Sequence, residues 1–195
     1  MLKVLLAIGL MLCLGPLAAG QNTPEWQVYG GGSYGHADIR PAFPGLRSLN
    51  GWGYDVAVEQ YVKTWIGGVV DFSDYYHKPT IDLAPFGFRG TREQVRTHFV
   101  YFLLGPQVRR NLGKLTPFAR ATLGLSRRIV EDQAGFITSD KNAFAFGAGG
   151  GIDMRVGKHV SIRPVQADYL LTHFSNQRQG GWRLSAGVVF WWGGK

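Results

Sequence analysis

The last stretch of the chain, Trp182 to Trp192, changes character at every residue. Trp182, Leu184, Ala186, Val188, Phe190 and Trp192 share one parity, and Arg183, Ser185, Gly187 and Trp191 lie among the other. In an extended strand successive side chains point to opposite faces, so this segment has a bulky oily side and a side of charged or small residues. Tryptophan at both ends of the oily face is the pattern of a strand that meets lipid outside and a polar interior within. Hydrocarbon cannot satisfy the free amides of a sheet edge, so a sheet of such strands must close on itself. That requirement limits the chain to a barrel.

The N-terminus fits a chain that leaves the cytoplasm. Met1-Leu2-Lys3 supplies a positive start, Val4 to Leu14 an apolar run, and Ala18-Ala19-Gly20 a small-residue cleavage site before Gln21. We read residues 1–20 as a secretory signal peptide and 21–195 as one domain. A membrane anchor is the rival reading, but Gly15-Pro16 interrupts a run already too short to span. Cys13 falls inside the signal, and Leu12 is too large for a lipoprotein cleavage site. The mature chain therefore has no cysteine, which excludes disulfides and Cys-ligated metals. We expect no metal and no cofactor. Losing Lys3 leaves 20 basic against 13 acidic residues, a charge of +7 (20 − 13). The pairs Arg109-Arg110, Arg127-Arg128 and Lys158-His159 are expected at turns, which builds no continuous patch for nucleic acid.

Eight stretches read as strands: they begin near Trp26, Asn50, Ile66, Glu93, Pro117, Phe144, Ser161 and Trp182. Connections after the first, third and fifth are long, and those after the second, fourth and sixth are short. The loop from His77 to Arg92 carries Pro79, Pro85, Gly87 and Gly90 and is expected to lack regular structure. Inward parity falls on Asp55, Glu59, Asp71, Arg96, His98, Arg120, Asp153, Arg155, Arg163, Gln166 and Asp168. Ser161 and Arg163 are odd while Gln166 and Asp168 are even, so a β-bulge is expected at Pro164. Phe99 to Leu104 is apolar on both parities, which leaves the inward face of the fourth strand open beyond His98. Gly147 to Gly151 could pass for a phosphate loop, but no helical pattern follows and the alternation continues through Asp153 and Arg155.

With this order and spacing the chain resembles the small eight-stranded barrels of the OmpA/OmpX type, the outer membrane protein β-barrel domain family, across residues 25–192. Val28-Tyr29-Gly30-Gly31, Gly51-Trp52-Gly53, Leu104-Gly105-Pro106 and Pro117-Phe118-Ala119-Arg120 carry the softer part of the likeness. Ser185, Gly187, Phe190 and Trp192 match the family's C-terminal assembly signal, although Gly193-Gly194-Lys195 follows the usual terminal aromatic. The resemblance implies an all-β, eight-stranded antiparallel transmembrane barrel in the outer membrane. It also implies insertion by the barrel-insertion machinery. We expect a monomer whose basic strand ends meet lipid and lipopolysaccharide phosphates.

The inward charges admit two roles. An eight-stranded barrel is just wide enough for side chains to fill, so the charges are expected to pair and plug it. The alternative is a narrow pore lined by titrating groups. A third reading rests on His173-Phe174-Ser175-Asn176, which resembles the His-x-Ser-Asn element of outer-membrane lipid A deacylases, where His173 would activate Ser175. Those enzymes carry a downstream carboxylate where this chain has Arg183. A soluble lipocalin-type barrel would put the charges outside, against the tryptophan placement. Residues expected at the external surface are Arg40, Arg47, Tyr75, Tyr76, His77, Lys78, Phe86, Phe88, Arg89, Arg127 and Arg128. We expect a structural or surface-interaction role rather than catalysis, with no surface ligand legible.

Overall fold

The computed structural model describes residues 25–38, 48–77, 80–82, 92–94, 96–131, 137–174 and 177–193. Among these residues ten strands follow in order: β1 (Glu25–Asp38), β2 (Ser48–Lys63), β3 (Ile66–His77), β4 (Thr80–Asp82), β5 (Arg92–Gln94), β6 (Arg96–Arg109), β7 (Leu115–Glu131), β8 (Ile137–Arg155), β9 (Val160–Phe174) and β10 (Gln177–Trp192). Eight of them close an antiparallel barrel in the order β1-β2-β3-β6-β7-β8-β9-β10, with β10 pairing back to β1. The short β4–β5 hairpin stands apart, within a connection expected to be irregular. The proposed signal peptide lies outside the described residues.

Partner residues fix the dimensions of the barrel. Stepping round the sheet from Glu25 through Tyr61, Gly67, Gln107, Arg120, Gly149, Asp168 and Arg183 returns to β1 at Gly35, a stagger of ten residues (35 − 25). With eight strands, that stagger tilts the strands about 40° from the axis and gives a backbone cylinder about 16 Å across. Trp182 and Trp192, ten residues apart on the outward face of β10, are then about 26 Å apart along the axis, close to the ~25 Å apolar band of an outer-membrane barrel. Trp52, Val56, Val58, Leu123, Leu125, Phe144, Phe146, Val188 and Phe190 are likewise exposed on the outer wall.

Two local features follow from single residues. Gly113 takes φ of 76° in the tight turn joining β6 to β7, a conformation that side-chain-bearing residues avoid. In β9, three residue steps from Arg163 to Gln166 face two on β10, from Gly187 to Ser185, and the opposite neighbour β8 shows the same slip. The extra residue is the bulge expected at Pro164, whose missing amide cannot join the ladder. It lets Arg163 and Gln166 both point inward.

The periodicity understated the strand lengths at the long-connection end. Arg127 and Arg128, expected at a turn, are residues of β7, and β8 begins at Ile137. The inward face of β6 is its odd parity: Thr97, Phe99, Tyr101 and Leu103 are buried.

Candidate functional site

The lumen is layered. At the short-turn mouth Arg109 donates two hydrogen bonds of 2.6 Å to the Glu25 carboxylate and one of 2.9 Å to the Thr64 carbonyl, and its guanidinium lies 3.7 Å over the Tyr61 ring. Above it, Gln107 donates to Glu59 at 2.6 Å, and the Tyr61 hydroxyl donates to the same carboxylate at 3.1 Å.

Arg163 heads the next layer. Its Nε and Nη2 donate to Asp153 at 2.6 and 3.0 Å, Nη2 also to Glu59 at 2.9 Å, and Nη1 to the Gln166 carbonyl at 2.8 Å. The guanidinium is held between the Tyr29 and Phe118 rings, at 4.5 and 4.2 Å. A Cβ on Gly151 would collide with the Phe118 ring, so a glycine in the inner wall of β8 makes room for that ring.

At mid-lumen Arg183 donates to Asp168 through Nε and Nη2 (2.9 and 2.8 Å), to Asp71 through Nη1 and Nη2 (2.9 and 3.1 Å), and to Ser73 at 2.9 Å. Arg120 shares both acids, bonding Asp168 at 2.9 and 2.8 Å and lying 3.0 Å from Asp71. Asp55 accepts from Ser185 at 2.9 Å and Gln166 at 3.3 Å, and sits 3.7 Å from Arg183. Toward the long-connection end the lumen turns apolar, with Leu49, Tyr75, Phe99, Tyr101, Leu103, Ala143, Ala145 and Leu170 packed together.

The structure thus gathers Asp55, Glu59, Asp71, Arg120, Asp153, Arg163, Gln166 and Asp168 into one buried network. His98 is a correction. It shares the outward parity of Val100 and Phe102, because the inward residues of β6 are odd. Arg155 is a second: it is exposed at the mouth, 4.9 Å over the Trp191 ring, since β8 ends there. The Arg96 side chain lies outside the described residues. Tyr75, His77 and Arg128, expected at the surface, are buried on inward parity, whereas Tyr76 and Arg127 face out. The side chains of Arg40, Arg47, Lys78, Phe86, Phe88 and Arg89 lie outside the described residues.

The hub itself was missed. Arg183 has inward parity in the sequence and is fully covered, yet only tertiary distance shows that it joins three acids. Among the residues of the assembly motif, Ser185 belongs to this network, Gly187 faces Gly31 across the seam, and Phe190 and Trp192 are exposed on the outer wall beside Val28 and Trp26. His173 is exposed on β9 opposite Phe144, and Ser175 lies outside the described residues.

The family model for the outer membrane protein beta-barrel domain matches residues 4–190. The chain belongs to this family. No curated protein matches the sequence. Among solved structures, Neisserial surface protein A is similar over 85% of this chain and 96% of its own, with a TM-score of 0.62 and 16% identity. The attachment invasion locus protein of Yersinia pestis matches over 85% of this chain and 98% of its own, with a TM-score of 0.54 and 14% identity. OprG of Pseudomonas aeruginosa matches over 89% and 98%, with a TM-score of 0.50 and 12% identity. These identities tie the chain to the three by fold. Family membership places it in the outer membrane as an eight-stranded β-barrel.

Proposed function

We propose that this family member is a non-conducting monomeric barrel whose short turns face the periplasm and whose long connections carry a structural or surface-interaction role outside the cell. One observation carries the reading. Asp55, Glu59, Asp71, Ser73, Arg163 and Gln166 have no solvent-exposed surface, and their bonds cross the lumen between β2, β3, β6, β7, β8, β9 and β10. An ion passing through a cylinder about 16 Å wide at the backbone would have to break several charge-assisted hydrogen bonds at once.

The long connections support the external role, because loops on a rigid scaffold are where a barrel displays variable chemistry. Attachment is named for the Yersinia protein, and its kinship with this chain is one of fold. In this reading catalysis has no part, and the terminal strand, ending in Phe190 and Trp192, is what the barrel-insertion machinery engages.

Planar-bilayer recording of the refolded full-length protein tests the closed lumen. The expected result is no reproducible unitary current across the physiological voltage range. A steady single-channel conductance would overturn the proposal and leave a narrow pore in its place.

A further inference from the structure

Among the described residues most ionic groups in the barrel wall point inward, but polar side chains point out at the long-connection end, as His36 and Asn50 do on β1 and β2 and as a larger group does on β3, β6, β7 and β8. Arg127 and Asn142 are exposed and directly opposite one another across the β7–β8 pair. His98 is diagonal to Arg127, because β6 sets Val100 against Arg127 and His98 against Ile129. Tyr76 lies opposite His98 on β3, their rings edge to face at 4.5 Å. Direct partners in such a sheet stand about 5 Å apart and diagonal ones about 7–8 Å, so the four side chains form one continuous patch.

The patch begins where the oily wall ends. Leu125, Phe144 and Phe72 are exposed two residues below Arg127, Asn142 and Asp74 on their own strands. Val100 and Phe102 continue the wall below His98. A ligand covering the patch therefore needs a polar head for Arg127, His98 and Asn142, and hydrocarbon for the wall beneath.

Asp74 shows that the patch is organised. It has outward parity on β3, where a carboxylate would repel an anionic leaflet, yet it is only 8% exposed. The Tyr76 hydroxyl is hydrogen-bonded to it, and its Oδ1 lies 3.8 Å from His98 Nδ1. The acid thus lies beside the Tyr76 and His98 rings rather than open to the surface. The short-turn end differs. Arg110, Lys114 and Lys158 lie in the turns there, and Lys63 and Arg155 are the last residues of β2 and β8, so no histidine–arginine–asparagine group of this kind sits on its outer wall among the described residues.

We propose that Arg127, His98 and Asn142 bind a phosphate of lipid A, the phosphorylated glycolipid of the outer leaflet. The proposal rests on the orientation given above, which puts this end of the wall at the outer leaflet. The Arg127 guanidinium, a His98 ring N–H and the Asn142 amide meet the phosphate, and acyl chains lie along Leu125, Phe144 and Val100.

Native mass spectrometry of the full-length protein in detergent, titrated separately with bisphosphorylated lipid A, dephosphorylated lipid A and phosphatidylglycerol, tests it. Bisphosphorylated lipid A should be retained most tightly, and Arg127→Ala and His98→Ala should each weaken it about fivefold. Lys114→Ala and Lys158→Ala at the other end should leave it unchanged. Arg127→Gln and His98→Gln replace the corresponding alanine variant if it loses its heat-modifiable gel mobility. Unchanged binding by an Arg127/His98 double variant would overturn the proposal, as would equal retention of phosphatidylglycerol or dephosphorylated lipid A. Orientation is read separately: labelling of a cysteine at Asn111 by an impermeant reagent on intact cells would refute the topology without touching the binding result.

Discussion

Replacing Arg183 by methionine should be among the most damaging single changes in the lumen. Five carboxylates, Asp55, Glu59, Asp71, Asp153 and Asp168, share three guanidiniums, Arg120, Arg163 and Arg183, leaving two surplus anions when all are ionised (5 − 3). Arg183→Met raises the surplus to three (5 − 2) and leaves Asp55 with only the neutral donors Gln166 and Ser185. Stranding buried anions in this way costs about 3–5 kcal/mol, while methionine fills most of the vacated volume and keeps the cavity contribution small. Asp55→Asn works in the opposite direction. It preserves the shape and lowers the surplus to one (4 − 3), so its cost should stay within about 1 kcal/mol. Urea unfolding in phospholipid vesicles, followed by tryptophan fluorescence and by loss of heat-modifiable mobility, measures both. The charge argument is refuted if Arg183→Met unfolds within about 1 kcal/mol of the parent, or if Asp55→Asn proves the more damaging of the two.

Two further outcomes check the wall and the terminal strand. Ala121 lies midway along the outward face of β7, between Leu115 and Arg127, so Ala121→Arg should cost about 2–4 kcal/mol in the same unfolding assay; a neutral result would mean that this face does not meet hydrocarbon. Phe190→Ala with Trp192→Ala should lower the folded fraction recovered from cells while refolding into detergent proceeds as in the parent. Equal losses in both settings would assign these residues to stability rather than to recognition by the insertion machinery.

The value of the alternation differs from strand to strand. On β8 it runs unbroken from Phe144 to Val156, and Asp153 could be turned inward from the sequence alone. On β6 it fails, because Phe99 to Leu104 is apolar at every position: the lumen there is itself apolar, so Phe99, Tyr101 and Leu103 carry no polar mark to separate them from the lipid face. His98 is polar yet faces out for this reason, because at that position β6 has reached the end of the oily wall. The far end of β7 is not legible in the sequence because Arg127 and Arg128 resemble a turn, whereas one points to the surface and the other into the lumen.

The amino-acid sequence by itself determined closure, strand number and the bulge at Pro164, because period-two patterning and a missing amide are local properties of the chain. Which charge meets which was decided only by tertiary structure. Arg163 reaches Glu59 across 104 residues, and Arg183 reaches Asp71 across 112. Those pairings depend on a ten-residue stagger that no single strand encodes. A two-residue change in that stagger would keep every side chain on its own face and still give each arginine different neighbours.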